Sequence, residues 1–112
     1  MSQITTHILD TTKGKPAKGI TIVLYNGEND EWKEIARGKT NDDGRIVDFL
    51  KKDSTLQPGI YKMRFETKDY FDRNAIETFY PYVEIIFDIR SNDHYHIPLL
   101  LNPFGYSTYR GS

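Results

Sequence analysis

Pro58-Gly59-Ile60-Tyr61-Lys62-Met63-Arg64-Phe65-Glu66 opens on a turn signal and then alternates, with Tyr61, Met63 and Phe65 on one face. A period of two is that of a strand with one buried side. Upstream, Ile4 to Asp10 is rich in β-branched residues and ends in the turn signal Thr11-Thr12-Lys13-Gly14-Lys15-Pro16. Ile20 to Tyr25 reads as a second strand closed by Asn26-Gly27, and Glu31 to Arg37 as a third. Asn41-Asp42-Asp43-Gly44 is a turn, which Arg45-Ile46-Val47 is expected to leave as a short strand. Downstream, residues 68–78 lack a strand period and are expected to hold one short helix. Pro81 to Ile89 and His94 to Leu101 read as further strands, and a Pro103-Phe104-Gly105 turn leads into Tyr106 to Ser112. Seven to eight short strands at even spacing predict an all-β chain, folded as a two-sheet antiparallel β-sandwich with one short helix.

The 112 residues suit one domain, expected over 1–112. The chain has no cysteine, which removes disulfides, Cys-based metal sites and thiol nucleophiles from consideration. A formal charge of −1 with interspersed signs offers no basic block to grip a phosphate backbone, so no nucleic-acid partner is expected. No apolar run approaches the roughly 18 residues of a membrane span, so no membrane partner is expected either. Met1-Ser2-Gln3 leads into strand-like sequence without the charged and apolar regions of a signal peptide, and the expected compartment is the cytoplasm.

Chemistry concentrates in three histidines. In His94-Tyr95-His96 a strand spacing of two sets both imidazoles on one face, joined by Pro98 and Leu100, with Tyr95 on the other. His7 shares its face with Thr5 and Leu9. An imidazole among small or apolar neighbours suits proton transfer near neutral pH. The same three rings could instead hold a metal, although no carboxylate motif accompanies them. Arg45, just after a glycine turn, is either a surface ion-pair residue or an anion and carbonyl clamp. The Asn41 to Gly44 stretch has calcium-ligand residue types without the spacing of a calcium loop. Tyr106, Tyr109 and Arg110, so near the terminal carboxylate, suggest a docked tail rather than a frayed one.

Three blocks, in order, resemble the 5-hydroxyisourate hydrolases of the transthyretin-like protein family. They are Thr6-His7-Ile8-Leu9-Asp10 with Gly14-Lys15-Pro16-Ala17-Lys18-Gly19, then Thr40-Asn41-Asp42-Asp43-Gly44-Arg45, then His94 to Pro103 with Gly105 to Ser112. The last ends in the Tyr-Arg-Gly-Ser tetrapeptide of that family, Tyr109 to Ser112. Asn102 stands where serine is commoner and Phe104 where tyrosine is commoner. The resemblance implies a transthyretin fold, a homotetramer built as a dimer of dimers, and active sites in the channel between dimers. It implies catalytic roles for His7, Arg45, His96 and Ser112, with His7, Arg45 and Tyr109 contacting the substrate. It also implies that no cofactor and no metal take part.

The implied reaction opens the cyclic amide of 5-hydroxyisourate with water, which calls for a base, an oxyanion donor and a proton for the leaving nitrogen. The competing expectation is a transthyretin-like carrier of a small aromatic ligand, whose pocket would be apolar with few polar groups. A structural sandwich without a ligand leaves the histidine pair and the ordered tail unexplained.

Overall fold

The alternation in β5 (Gly59–Phe65) is a packing pattern: Tyr61, Met63 and Phe65 are buried. The structure is a computed structural model that describes residues 2–112; Met1, where the expected domain begins, lies outside them. Before β5 come β1 (Ile4–Asp10), β2 (Lys15–Pro16), β3 (Thr21–Glu28) and β4 (Glu31–Lys39). After it come α1 (Thr67–Arg73), β6 (Val83–Ile89), β7 (Tyr95–Asn102) and β8 (Gly105–Thr108). Two four-stranded sheets result, ordered β2-β1-β7-β8 and β4-β3-β5-β6.

Ile4, Ile8, Ile97, Leu99 and Leu101 from the first sheet meet Ile22, Leu24, Tyr61, Met63, Phe65, Val83 and Ile89 from the second. Fully burying one aliphatic side chain stabilises by about 1.5–3 kcal/mol, so this shared core dominates the fold. The β3–β4 hairpin turns at Asn29 and Asp30, both at positive φ, as a tight two-residue turn matched to strand twist requires.

The expected two-sheet sandwich with one short helix forms, antiparallel in every named strand pair except β1 with β7, which run parallel through the whole length of β1. One expectation needs correction: Arg45-Ile46-Val47 do not form a strand. Val47 is exposed and Asp48 has a positive φ, so the chain bends away after the turn with no strand to pair with. It returns by burying Phe49 and Leu50. The expected helix is α1, placed by Tyr70 and Phe71 in the core. Among the described residues no helix is long and apolar enough to cross a membrane.

A buried carboxylate locks α1 to the end of β1. Asp10 Oδ2 accepts from the Tyr70 hydroxyl at 2.8 Å, and Oδ1 accepts from the backbone N–H groups of Thr12 and Lys13. Burial and then the Asp10 hydrogen bond push the Tyr70 phenol well above its ordinary pKa, so the hydroxyl stays a donor. Tyr70→Phe should therefore lower unfolding free energy by about 1–3 kcal/mol, the cost of leaving a buried acceptor unpaired. Urea denaturation checks this, and an unchanged midpoint would contradict the lock.

Candidate active site

The parallel register of β1 and β7 sets Thr5 beside His96, His7 beside Pro98 and Leu9 beside Leu100. In both strands the core takes the alternate residues, so this second set lies on the outer face of the sheet. His7 and His96 are both half-buried there. β8 pairs Leu100 with Ser107, and the isolated bridge of Gly111 to His96 keeps that same register. Tyr109 is thereby level with Pro98, on the face that carries His7. Arg110 takes the opposite parity and sets its guanidinium 4.4 Å from the Tyr95 ring centroid.

The tail is docked, against β7. The Gly111 N–H donates to the His96 carbonyl at 2.8 Å. A Cβ at Gly111 would sit 2.5 Å from His96 Cδ2, so only glycine lets the tail lie flat on this imidazole. Ser112 follows directly and is exposed, as is Tyr109. Tyr109 also borders an apolar crevice of about 250 Å³ between β6 and the tail, with Ile85, Phe87 and Tyr95.

Arg45 arrives from a rigid turn. The Thr40 hydroxyl, buried, donates to the Ala17 carbonyl and accepts from the Ile20 N–H. Asn41 Oδ1 accepts from the N–H groups of Asp43 and Arg45, so that oxygen closes the turn, in keeping with the turn reading of this stretch. Ile8 N–H donates to the Gly44 carbonyl at 2.9 Å, which binds the turn to β1 next to His7. Gly44 has a φ of 72°, and a Cβ there would lie 2.5 Å from the Ile8 carbonyl oxygen, so glycine is required on two counts.

Both half-buried imidazoles favour the neutral form. Burial lowers the His7 pKa below 6.5, and the Arg45 charge lowers it further, against an opposing hydrogen bond to the Asp43 backbone. Burial also lowers His96, followed by the charges of Arg45, His94 and His7. The histidines do not converge on a point. Thr5 Oγ1 stands between His94 Nε2, at 2.7 Å, and His96 Nδ1, at 2.8 Å, and the two rings stack with centroids 6.3 Å apart. Among the described residues no three His, Cys, Asp or Glu side chains gather as metal ligands.

Of the residues named from sequence, the fold sets His7 and His96 on one face and Tyr109 level with Pro98 by register, while Arg45 stands on the adjoining turn. The sequence reading did not single out Thr5, Thr40 or Gly44 for roles. Thr5 was visible only as a neighbour of His7 in the alternation.

A family model described as the HIUase/Transthyretin family matches residues 4–111. The chain belongs to the HIUase/Transthyretin family. A probable 5-hydroxyisourate hydrolase of Caenorhabditis elegans is 47% identical over 112 residues, covering 99% of this chain and 82% of that protein. The solved Klebsiella pneumoniae 5-hydroxyisourate hydrolase is 39% identical with a TM-score of 0.85, covering 97% of this chain and 98% of its own. Sea bream transthyretin in complex with thyroxine superposes with a TM-score of 0.91 at 30% identity, covering 98% and 95%. Shape alone therefore does not separate the two branches of the family, and the site has to.

The electrostatics carry a direct test. Followed by NMR, His7 and His96 should titrate below 6.5, remaining neutral at pH 7 and gaining protons only as pH falls further. In Arg45→Gln both should move upward, yet stay below 6.5 because burial persists. Titration at or above 6.5 in the unaltered protein would contradict the arrangement.

Proposed function

We propose that the chain, as one domain over residues 1–112, hydrolyses 5-hydroxyisourate to 2-oxo-4-hydroxy-4-carboxy-5-ureidoimidazoline. The observation that carries this reading is the pair of neutral-leaning imidazoles, His7 and His96, on one sheet face, within the influence of the Arg45 charge from the adjoining turn. A carrier of apolar aromatic ligands has no use for that combination. Relatives whose names give 5-hydroxyisourate hydrolase activity support the same conclusion.

In the proposed reaction a neutral imidazole, His7 or His96, takes a proton from water as the oxygen attacks the cyclic amide carbonyl. Arg45 binds the polar edge of the substrate and stabilises the negative charge that develops. Its charge also keeps the base unprotonated before the step. Tyr109 and Ser112 position substrate or water. The amide C–N bond then breaks, the protonated imidazole returns its proton to the leaving nitrogen, and no covalent enzyme intermediate forms.

The proposal extends to assembly as a homotetramer, a dimer of dimers, with the outer face of the β2-β1-β7-β8 sheet lining the channel between dimers. Two observations support a further partner copy. β8 and β6 are free edges of their sheets, which leaves a row of backbone groups open to pairing. Ile86 and Tyr106, on those two strands, are exposed. Sedimentation at micromolar concentration should give four times the 13.1 kDa chain mass, and a monomer would contradict this part.

The reaction is tested by forming 5-hydroxyisourate in place from urate with urate oxidase and following its ultraviolet absorbance. The protein should accelerate the decay. Alanine at the true base should cost about 10²–10⁴-fold. A loss of tenfold or less in both His7→Ala and His96→Ala would sink the mechanism. No acceleration by the folded, unaltered protein would sink the hydrolase reading and leave the carrier in its place.

A further inference from the structure

His94 was paired with His96 by spacing, yet the proposed reaction does not use it. The fold nevertheless holds it in place. Gln3 Nε2 donates to the carbonyls of Ser91 and Asp93, and the Gln3 carbonyl accepts from the Tyr95 N–H at 2.8 Å. These bonds tie the loop that carries His94 to the start of β1, and Thr5 is the next outward-facing residue of that strand. The Thr5 hydroxyl then bridges His94 Nε2 and His96 Nδ1 at 2.7 and 2.8 Å. His94 itself is exposed, beside a polar cleft that it shares with Asp53 and Asn92.

A hydroxyl has one hydrogen to donate, so the chain His96–Thr5–His94 has two polarities. In one, His96 Nδ1–H donates to Thr5 Oγ1, and the Thr5 hydroxyl donates to His94 Nε2. His96 Nε2 then carries a bare lone pair. In the other, His94 Nε2–H donates to Thr5, and Thr5 donates to His96 Nδ1. Neutral His96 then holds its hydrogen on Nε2 and cannot accept one there. Protonated His94 permits only the second polarity, because both of its nitrogens are donors.

We propose that Thr5 is a positioning and relay residue, through which the exposed His94 selects the tautomer of His96 and takes up its proton. This rests on the hydrolase reading with His96 as the base. In the step, water gives a proton to His96 Nε2 while its oxygen bonds to the amide carbon. The Nδ1 hydrogen of His96 passes to Thr5 Oγ1, and the Thr5 hydrogen passes to His94 Nε2. His96 and Thr5 end neutral, and the positive charge rests on His94 in solvent. As the C–N bond breaks the chain runs backward, and His96 Nε2 delivers the proton to the leaving nitrogen. The direction of transfer suits the charges. Burial and then the Arg45 charge oppose a cation on His96, whereas His94 is exposed to solvent, with Asp93 next in the chain and Asp53 across the cleft.

Ring ¹⁵N NMR of the substrate-free protein tests the relay without reference to activity. Between the protonated and the neutral form of His94, the His96 hydrogen should shift from Nε2 towards Nδ1. Thr5→Val removes the hydroxyl at nearly constant shape and should abolish that coupling, whereas Thr5→Ser should keep it. On 5-hydroxyisourate, Thr5→Val should lower kcat about 10- to 100-fold with KM changed less than threefold, a smaller loss than that of the base itself. His94→Gln should remove the pH dependence of the His96 tautomer, and it serves as the test if Thr5→Val does not fold. A His96 tautomer that ignores His94 in the unaltered protein overturns the relay, as does Thr5→Val with unchanged tautomer behaviour and kcat. Intact coupling in a protein that does not hydrolyse 5-hydroxyisourate would leave the relay standing and remove only its proposed use.

Discussion

The parallel pairing of β1 with β7 is the constraint on which the rest depends. It joins residues about 90 positions apart, as in Thr5 with His96, and its register leaves no freedom in what meets on the outer face. A slip of β7 by one residue would turn His96 inward and Ile97, Leu99 and Leu101 outward. Unburying those three aliphatic side chains, at about 1.5–3 kcal/mol each, would cost as much as the net stability of a small domain. The core beneath the site therefore sets which side chains share its face.

Around that pair the fold adds supports that each act on one functional group. The Asn41–Arg45 turn is closed internally by the Asn41 side chain and anchored on β1 through Ile8 and Gly44. The tail bridge from Gly111 to His96 sets Tyr109 level with Pro98. Gln3 brings the His94 loop over Thr5. Buried or part-buried polar groups make most of these bonds, and each would cost energy if left unpaired. The face is in this sense preorganised: burial and the Arg45 charge favour the neutral forms of His7 and His96 before any substrate arrives.

Likeness of shape within the family carries less functional weight than these groups do. The superposition on sea bream transthyretin is closer than that on the Klebsiella hydrolase, at lower sequence identity. One sandwich can present an apolar channel or a polar one, and the difference lies in a handful of outward-facing side chains.

The sequence by itself determined most of the strands, because alternation and turn chemistry are local properties, and its three motif blocks pointed to the family. It also put His94 with His96 and His7 with Thr5, since strand parity is local too. It misread Arg45 to Val47 as a strand: three suitable residues say nothing about whether a partner strand lies within reach. The parallel β1–β7 pairing, the Thr5 hydroxyl between two imidazoles and the glycine contact at His96 were decided only by tertiary structure. Each depends on which distant segments become neighbours, and that is settled by the packing of two sheets on one core rather than by any stretch of residues taken alone.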